Sequence, residues 1–111
     1  MLIYKILLPG EWARLEADGS YDGTPFDHSS GFIHCSSDVQ VAETARRVFG
    51  GEPELVVVAI DADQLGETVR WEPAPDRGEL FPHIYGPLPM SAVTSVRRVA
   101  GAEAIDGDVI A

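Results

Sequence analysis

One continuous apolar run, LVVVAI at residues 55–60, constrains the fold more than any other stretch of the chain. The run is rich in β-branched residues and is too short for a typical helix. A strand that is apolar at every position buries both of its faces, whereas a strand with one face in water alternates apolar and polar residues. The run therefore predicts a central strand in a sheet that is covered on both sides.

The segments around this strand alternate between strand and helix patterns. Apolar alternation predicts further strands, and three- and four-residue apolar spacing predicts helices. The strands are expected at 2–8, 31–37, 68–72, 81–86 and 92–99, the helices at 11–18 and 37–49, and loops at 20–30 and 73–80. The second helix is expected to begin with a Ser37–Gln40 capping box and to bury the stripe formed by Val41, Ala45, Val48 and Phe49. Together these elements predict an α+β fold: a mixed, largely antiparallel β-sheet with two main helices.

Length and charge limit the domain count and the class of partner. With 111 residues and a formal net charge of −10, the chain is expected to form a single domain over 1–100, followed by a loosely ordered tail over 101–111. Such a charge argues against nucleic acids and anionic membranes as partners but permits a small-molecule ligand. The absence of a long apolar segment and the single Cys35 predict a cytoplasmic protein, and the oligomeric state stays open.

Two short motifs place polar side chains on one face of a strand. In GFIHCSS at 31–37, period-two alternation puts His34 and Ser36 on one face and Cys35 on the other. In FPHIYG at 81–86, His83 and Tyr85 share a face. Two strands that each present polar aromatic groups on one face predict a binding site.

Further polar residues accompany these motifs. His28 lies in the predicted loop at 20–30, and Arg70 and Glu72 share one face of the strand at 68–72. The latter two either pair with each other or line the same groove. A metal centre built from His28, His34 and His83 is a further hypothesis, although their spacing is not that of a preformed site. Cys35 is expected to be a small core residue.

Together with the intervening Trp71-Glu72, the two motifs resemble the small bacterial proteins of domain of unknown function family 952. This resemblance extends from Ile3 to about Val99. It implies an ADP-ribosyltransferase-like fold, in which a split β-sheet surrounds an NAD-binding cleft. By that resemblance, His34 grips a ribose and Tyr85 stacks on the nicotinamide.

The resemblance also implies a late-strand glutamate, and here the chain departs from the pattern. Glu103 lies in the predicted tail, and Glu72 precedes Tyr85 and would need a different strand order. Transferases acting on 2′-phosphorylated RNA use histidine and arginine instead, a role that His83 with Arg70 or Arg97 would match.

Three functional hypotheses follow from these residues. In the first, the protein binds NAD or an ADP-ribosyl nucleotide, with transferase activity as a further step. In the second, the same fold is a non-catalytic small-ligand-binding module. In the third, the chain is a metal-dependent enzyme. The site predicted from sequence has His34 and His83 as catalytic residues and has, as ligand-binding residues, Ser36, Tyr85, Arg70, Glu72 and His28.

Overall fold

The computed structural model describes residues 1–75 and 77–105 of the chain. The described residues form an α+β fold with three α-helices and antiparallel strand pairs. The helices are α1 (Pro9–Asp18), α2 (Pro25–Ser30) and α3 (Val41–Phe49). The strands are β1 (Leu2–Leu7), β2 (Ser20–Tyr21), β3 (Ile33–His34), β4 (Leu55–Asp61), β5 (Val69–Pro73), β6 (Leu80–Ile84), β7 (Leu88–Pro89) and β8 (Val93–Val99).

The predicted central strand is confirmed. β4 lies between β1 and β8 in an antiparallel sheet, and its first six residues are buried. Alternate residues of β4 enter two different apolar clusters, so both faces of this sheet are covered. Trp12 and Leu15 of α1 pack in one cluster, and Val41 and Ala45 of α3 pack in the other. The uninterrupted apolar pattern of β4 follows from this burial on two sides.

A second antiparallel sheet has the order β3-β6-β5 and carries both sequence motifs. One isolated bridge, between Tyr4 of β1 and Ser36, links it to the first sheet. The bridge consists of two backbone hydrogen bonds of 2.8 Å. Beyond this point β1 and the β3 segment separate, which opens a gap between the two sheets. The short strands β2 and β7 form a third pair.

The predicted loop at 20–30 is wrong, because it contains β2 and the helix α2. Thr24 and Asp27 form a capping box with two hydrogen bonds of 3.0 Å, and Pro25 occupies the first helical turn. Gly31 ends the helix with a left-handed φ of 90°. Six residues are too few for a periodic apolar pattern, so only the terminal signals mark this helix.

The second predicted helix begins later than expected. The Gln40 side chain accepts a 2.9 Å hydrogen bond from the Ser37 backbone N–H, but the Ser37 hydroxyl has no partner, so half of the capping box forms and α3 begins at Val41. The burial of Val48 is also wrong. Its side chain is 62% exposed, because α3 packs on the core through Val41 and Ala45.

At the carboxyl end of the described residues, Ala102 and Ile105 are buried in the same cluster as α3. The part of the predicted loose tail at 106–111 lies outside the described residues. No helix in the described part of the chain has both the length and the apolar composition to span a bilayer.

Candidate functional site

The register of the second sheet brings the two sequence motifs together. His34 of β3 lies directly opposite His83 of β6, and their ring centroids are 5.7 Å apart. Ile33, Cys35 and Ile84 face the other way and pack in the core. The predicted assignment of these side chains to two faces is therefore confirmed, and the two polar faces form one surface.

Asp27 anchors the His34 side of this surface. Its side chain is 2% exposed, and its Oδ1 lies 2.6 Å from His34 Nδ1. Lys5 Nζ lies 3.2 Å from the other carboxylate oxygen. Burial by itself raises the pKa of Asp27, but the hydrogen bonds from His34 and Thr24 and the charge of Lys5 together hold the pKa below its usual range. Asp27 is therefore ionised at neutral pH and accepts a hydrogen bond from His34 Nδ1–H.

Glu72 has the same relation to His83. Its Oε1 lies 2.7 Å from His83 Nδ1 and accepts a 2.6 Å hydrogen bond from the Tyr85 hydroxyl. The hydrogen bonds from Tyr85 and His83 lower the pKa of Glu72, and the same contact with Glu72 raises the pKa of Tyr85. The Arg70 guanidinium lies 4.6 Å from the centre of the Tyr85 ring. Contacts of this kind thus connect four predicted site residues in a row: His83, Glu72, Tyr85 and Arg70.

Two phenylalanines hold the histidine rings. Phe26 of α2 stacks on His34 with a centroid distance of 4.5 Å and is itself 65% exposed. Phe32 stacks on His83 at 3.9 Å and also contacts His34 and Tyr85. An exposed aromatic ring beside polar groups offers a flat apolar surface to a planar ligand.

A cleft of about 700 Å³ opens where the two sheets separate. Its lining includes both histidines, together with side chains from β1, α2 and α3 and the loop before β6. Three of the eight basic residues of the chain, Lys5, Arg47 and Arg77, line it, whereas Asp27 is the one acidic residue of the described lining. At the rim, Glu43 lies 3.9 Å from Arg47 in an exposed and therefore weak contact. It also lies 3.4 Å from Arg77, whose side chain is mostly buried and donates a 3.2 Å hydrogen bond to Thr44.

The remaining candidates occupy different positions. Ser36 lines the cleft, and its hydroxyl donates a 3.3 Å hydrogen bond to Thr44. Cys35 also lines it but is 5% exposed, and burial raises the pKa of its thiol to about 12. His28 lies outside the cleft lining, and its Nε2 is 3.0 Å from the Asp22 carbonyl oxygen. In the described residues no group of three His, Cys, Asp or Glu side chains is placed to hold a metal ion, so the three-histidine centre does not form.

The site predicted from sequence did not include Lys5, Phe26 or Asp27. The pattern Thr24-Pro25-x-Asp27 is a helix-start signal that marks Asp27 as ordered. No local signal identifies Lys5, because it interrupts an otherwise apolar strand and its partner lies 22 residues away. Buried charges are normally paired, so a lysine within a buried strand indicates an acidic partner without naming it.

Comparison with known proteins identifies relatives with the same fold. The family model described as Protein of unknown function (DUF952) matches residues 6–96. The crystal structure of protein CC0527 from Caulobacter crescentus is 43% identical, with a TM-score of 0.83, and the alignment covers 88% of this chain and 85% of that chain. The solution NMR structure of CC0527 is 42% identical, with a TM-score of 0.75 and coverage of 97% and 89%. A comparison with curated proteins finds none that is similar.

Proposed function

We infer that this chain, which belongs to the DUF952 family of proteins of unknown function, binds a small phosphate-bearing nucleotide of the NAD or ADP-ribose class. The observation that carries this proposal is the charge of the cleft. In a chain with a net charge of −10, three basic side chains line one cleft against one carboxylate of the described lining, Asp27, which pairs with Lys5 and leaves the charge of two arginines. This local excess of cationic groups favours an anionic ligand.

Each part of such a ligand has a matching surface. The volume of about 700 Å³ lies within the range of small-molecule sites. The exposed Phe26 ring offers a stacking surface for a base. Arg47, which is half exposed and makes a weak 3.9 Å contact with Glu43, suits the phosphates, and Lys5 and Arg77 add positive charge to the lining. The histidines suit ribose hydroxyls.

The ADP-ribosyltransferase-like fold is part of this proposal. Two three-stranded antiparallel sheets that meet at one bridge and then separate around a cleft support it. Transfer of the ADP-ribosyl group is a second candidate function, favoured by the contact of Glu72 with both His83 and Tyr85. A non-catalytic binding module on the same fold is the alternative, and a cytoplasmic location stays a prediction.

The test is thermal unfolding and calorimetric titration of the purified chain with NAD and ADP-ribose, with adenosine as the uncharged comparison. A ligand at one hundred times its dissociation constant is expected to stabilise the native state by about 2.7 kcal/mol. His34→Ala should abolish this effect. Arg47→Ala should weaken ADP-ribose binding about tenfold, which is about 1.4 kcal/mol, whereas the neighbouring exposed Arg46→Ala should bind as the wild type does.

Each outcome separates the candidate functions. Nicotinamide release from NAD, lost in Glu72→Gln, would support transfer, whereas binding without release would support the binding module. Absence of stabilisation by both NAD and ADP-ribose would overturn the proposal. Equal weakening in Arg46→Ala and Arg47→Ala would show that general charge, not the cleft, attracts the ligand.

A further inference from the structure

Two carboxylate–histidine pairs stand side by side on the sheet surface. Asp27 lies 2.6 Å from His34 Nδ1, and Glu72 lies 2.7 Å from His83 Nδ1. Because each Nδ1 is held by an ionised carboxylate, the tautomer and the orientation of both rings are set. A single such pair is a common structural feature. Two such pairs on neighbouring strands place two proton-carrying groups next to each other.

The second nitrogen of each ring remains available to a ligand. In the part of the chain that the structure describes, neither Nε2 atom makes a hydrogen bond. Neither atom is fully buried, so both can be reached from the cleft. Both rings line the cleft, and their centroids are 5.7 Å apart with the planes at 66°. One reacting group bound in the cleft over both rings can therefore contact both histidines.

Two neighbouring proton carriers suit a reaction that takes a proton from the entering group and gives one to the leaving group. Displacement at phosphorus has this form, with the entering and leaving oxygens roughly in line. Arg47 and Arg77 line the same cleft and supply positive charge for the phosphoryl oxygens, whereas Lys5 is already paired with Asp27 at 3.2 Å.

Acyl transfer through a side-chain nucleophile fits the site less well. Burial raises the pKa of the Cys35 thiol to about 12, so its thiolate is scarce at neutral pH. The Ser36 hydroxyl donates to Thr44 rather than to a histidine. Water activated by a histidine is the nucleophile that this surface accommodates best.

We propose that His34 and His83 act as a general base and general acid pair that hydrolyses a diester within one nucleotide, a nucleoside 2′,3′-cyclic phosphate. This inference goes beyond the proposed binding of NAD or ADP-ribose and uses the same cleft. The cleft volume suits a single nucleotide, and the net charge of −10 repels a long polyanion. A cyclic diester places both the phosphorus and the leaving oxygen inside such a small ligand.

The proton balance is complete without a co-reactant. One histidine, neutral, takes a proton from water as the water oxygen bonds to phosphorus. The phosphorus–oxygen bond to the ribose breaks, and that oxygen takes a proton from the other histidine, which starts protonated. Water is added overall, the product is a phosphomonoester, and the two histidines exchange protonation states and then re-equilibrate with solvent. Asp27 and Glu72 are positioning residues in this scheme.

The experiment incubates the full chain with adenosine 2′,3′-cyclic phosphate and follows monoester formation by phosphorus NMR. For the wild type, kcat/KM should depend on pH as a bell-shaped curve, since one histidine must be neutral and the other charged. His34→Asn and His83→Asn should each lower kcat by about one hundredfold or more. Glu72→Gln should lower kcat and displace one limb of the pH profile, because the amide cannot hold the same histidine tautomer and charge.

Glu67→Gln is the matched control. Glu67 is exposed in the turn before β5, the strand that carries Glu72, and lies outside the cleft lining. This variant should leave rate and pH profile unchanged, and thermal unfolding checks that each variant is folded. Nucleotide binding without hydrolysis would overturn the acid–base proposal and leave nucleotide binding intact. Hydrolysis by a protein that binds neither ADP-ribose nor NAD would support the acid–base proposal and overturn the proposed binding of those nucleotides. A rate that is unchanged in both histidine variants, or reduced equally in Glu67→Gln, would also overturn the acid–base proposal.

Discussion

At the scale of single residues, Asp27 is the side chain on which most of the candidate site depends. It contacts Lys5, His34 and the Thr24 backbone N–H while being 2% exposed. Lys5 is also buried, at 7% exposure, so the carboxylate neutralises a cation that water does not reach freely. One carboxylate therefore stabilises the fold and orients a candidate catalytic ring.

Asp27→Asn tests both roles through its pH dependence. The pKa of Asp27 is lower in the folded protein than in the unfolded chain, where it is near 3.8. As the pH falls below 3.8, the unfolded chain therefore takes up a proton at Asp27 before the folded protein does. The stability that Asp27 contributes is therefore present above that pH and is lost progressively below it. At neutral pH, removing the charge should cost about 3 kcal/mol, because Lys5 stays buried without its partner.

Urea unfolding at pH 7, 5 and 3 measures this contribution. The free energy of unfolding of Asp27→Asn should fall less between pH 5 and pH 3 than that of the wild type. Asp18→Asn, which changes an exposed carboxylate at the end of α1, should follow the wild type closely. An Asp27→Asn protein with the wild-type acid dependence would contradict the assigned pKa direction.

At the scale of secondary-structure elements, α2 decides the geometry of the cleft. This six-residue helix carries both Asp27, which contacts Nδ1 of His34, and Phe26, which stacks on the face of the same ring. A helix this short is unstable alone, so its end signals and its tertiary contacts must hold it. The chain then passes through Gly31 directly into the segment that bears the histidine.

Gly31→Ala should destabilise the protein by about 1 to 2 kcal/mol. Gly31 has a φ of 90°, and a Cβ there meets nothing within 4 Å, so the cost is backbone strain alone. Gly51→Ala is the matched control, because that glycine also has open space around its Cβ position but has no left-handed φ. Chemical unfolding should separate the two variants, and equal effects would rule out strain at Gly31 as the cause.

At the scale of the whole molecule, the two sheets share one apolar cluster and meet at one backbone bridge. The second cluster, on the far face of the first sheet, is completed by Ala102 and Ile105 after the last strand. Residues 101–105 thus contribute to the core that supports β1, the strand that carries Lys5.

Ile105→Ala should lower the free energy of unfolding by about 2 to 5 kcal/mol, because the side chain is 1% exposed and its removal leaves a cavity. Ile105→Val should cost only about 0.5 to 1.5 kcal/mol. Val39→Ala is the surface comparison, since Val39 is 84% exposed. Equilibrium unfolding in urea measures all three, and an Ile105→Ala protein as stable as Val39→Ala would contradict the buried position of Ile105.

Local pattern was sufficient for much of the fold and for part of the site. The β4 strand, the α+β class and the face that each histidine takes within its own strand all follow from short-range periodicity, which is a property of neighbouring residues. The helix α2 and the exposure of Val48 did not follow. A six-residue helix carries too little periodicity, and a residue at the edge of an apolar stripe is buried only if a partner covers it.

The sequence by itself determined which side chains share a face, because alternation along a strand is dictated by backbone geometry. Only the tertiary structure decided which faces meet, how His34 pairs with His83, and that Asp27, Glu72 and Lys5 complete the surface. Those contacts join residues that lie 7, 11 and 22 positions apart, and no local pattern encodes the register or the approach of two sheets. Local sterics act within a few residues, whereas the site depends on how the chain packs.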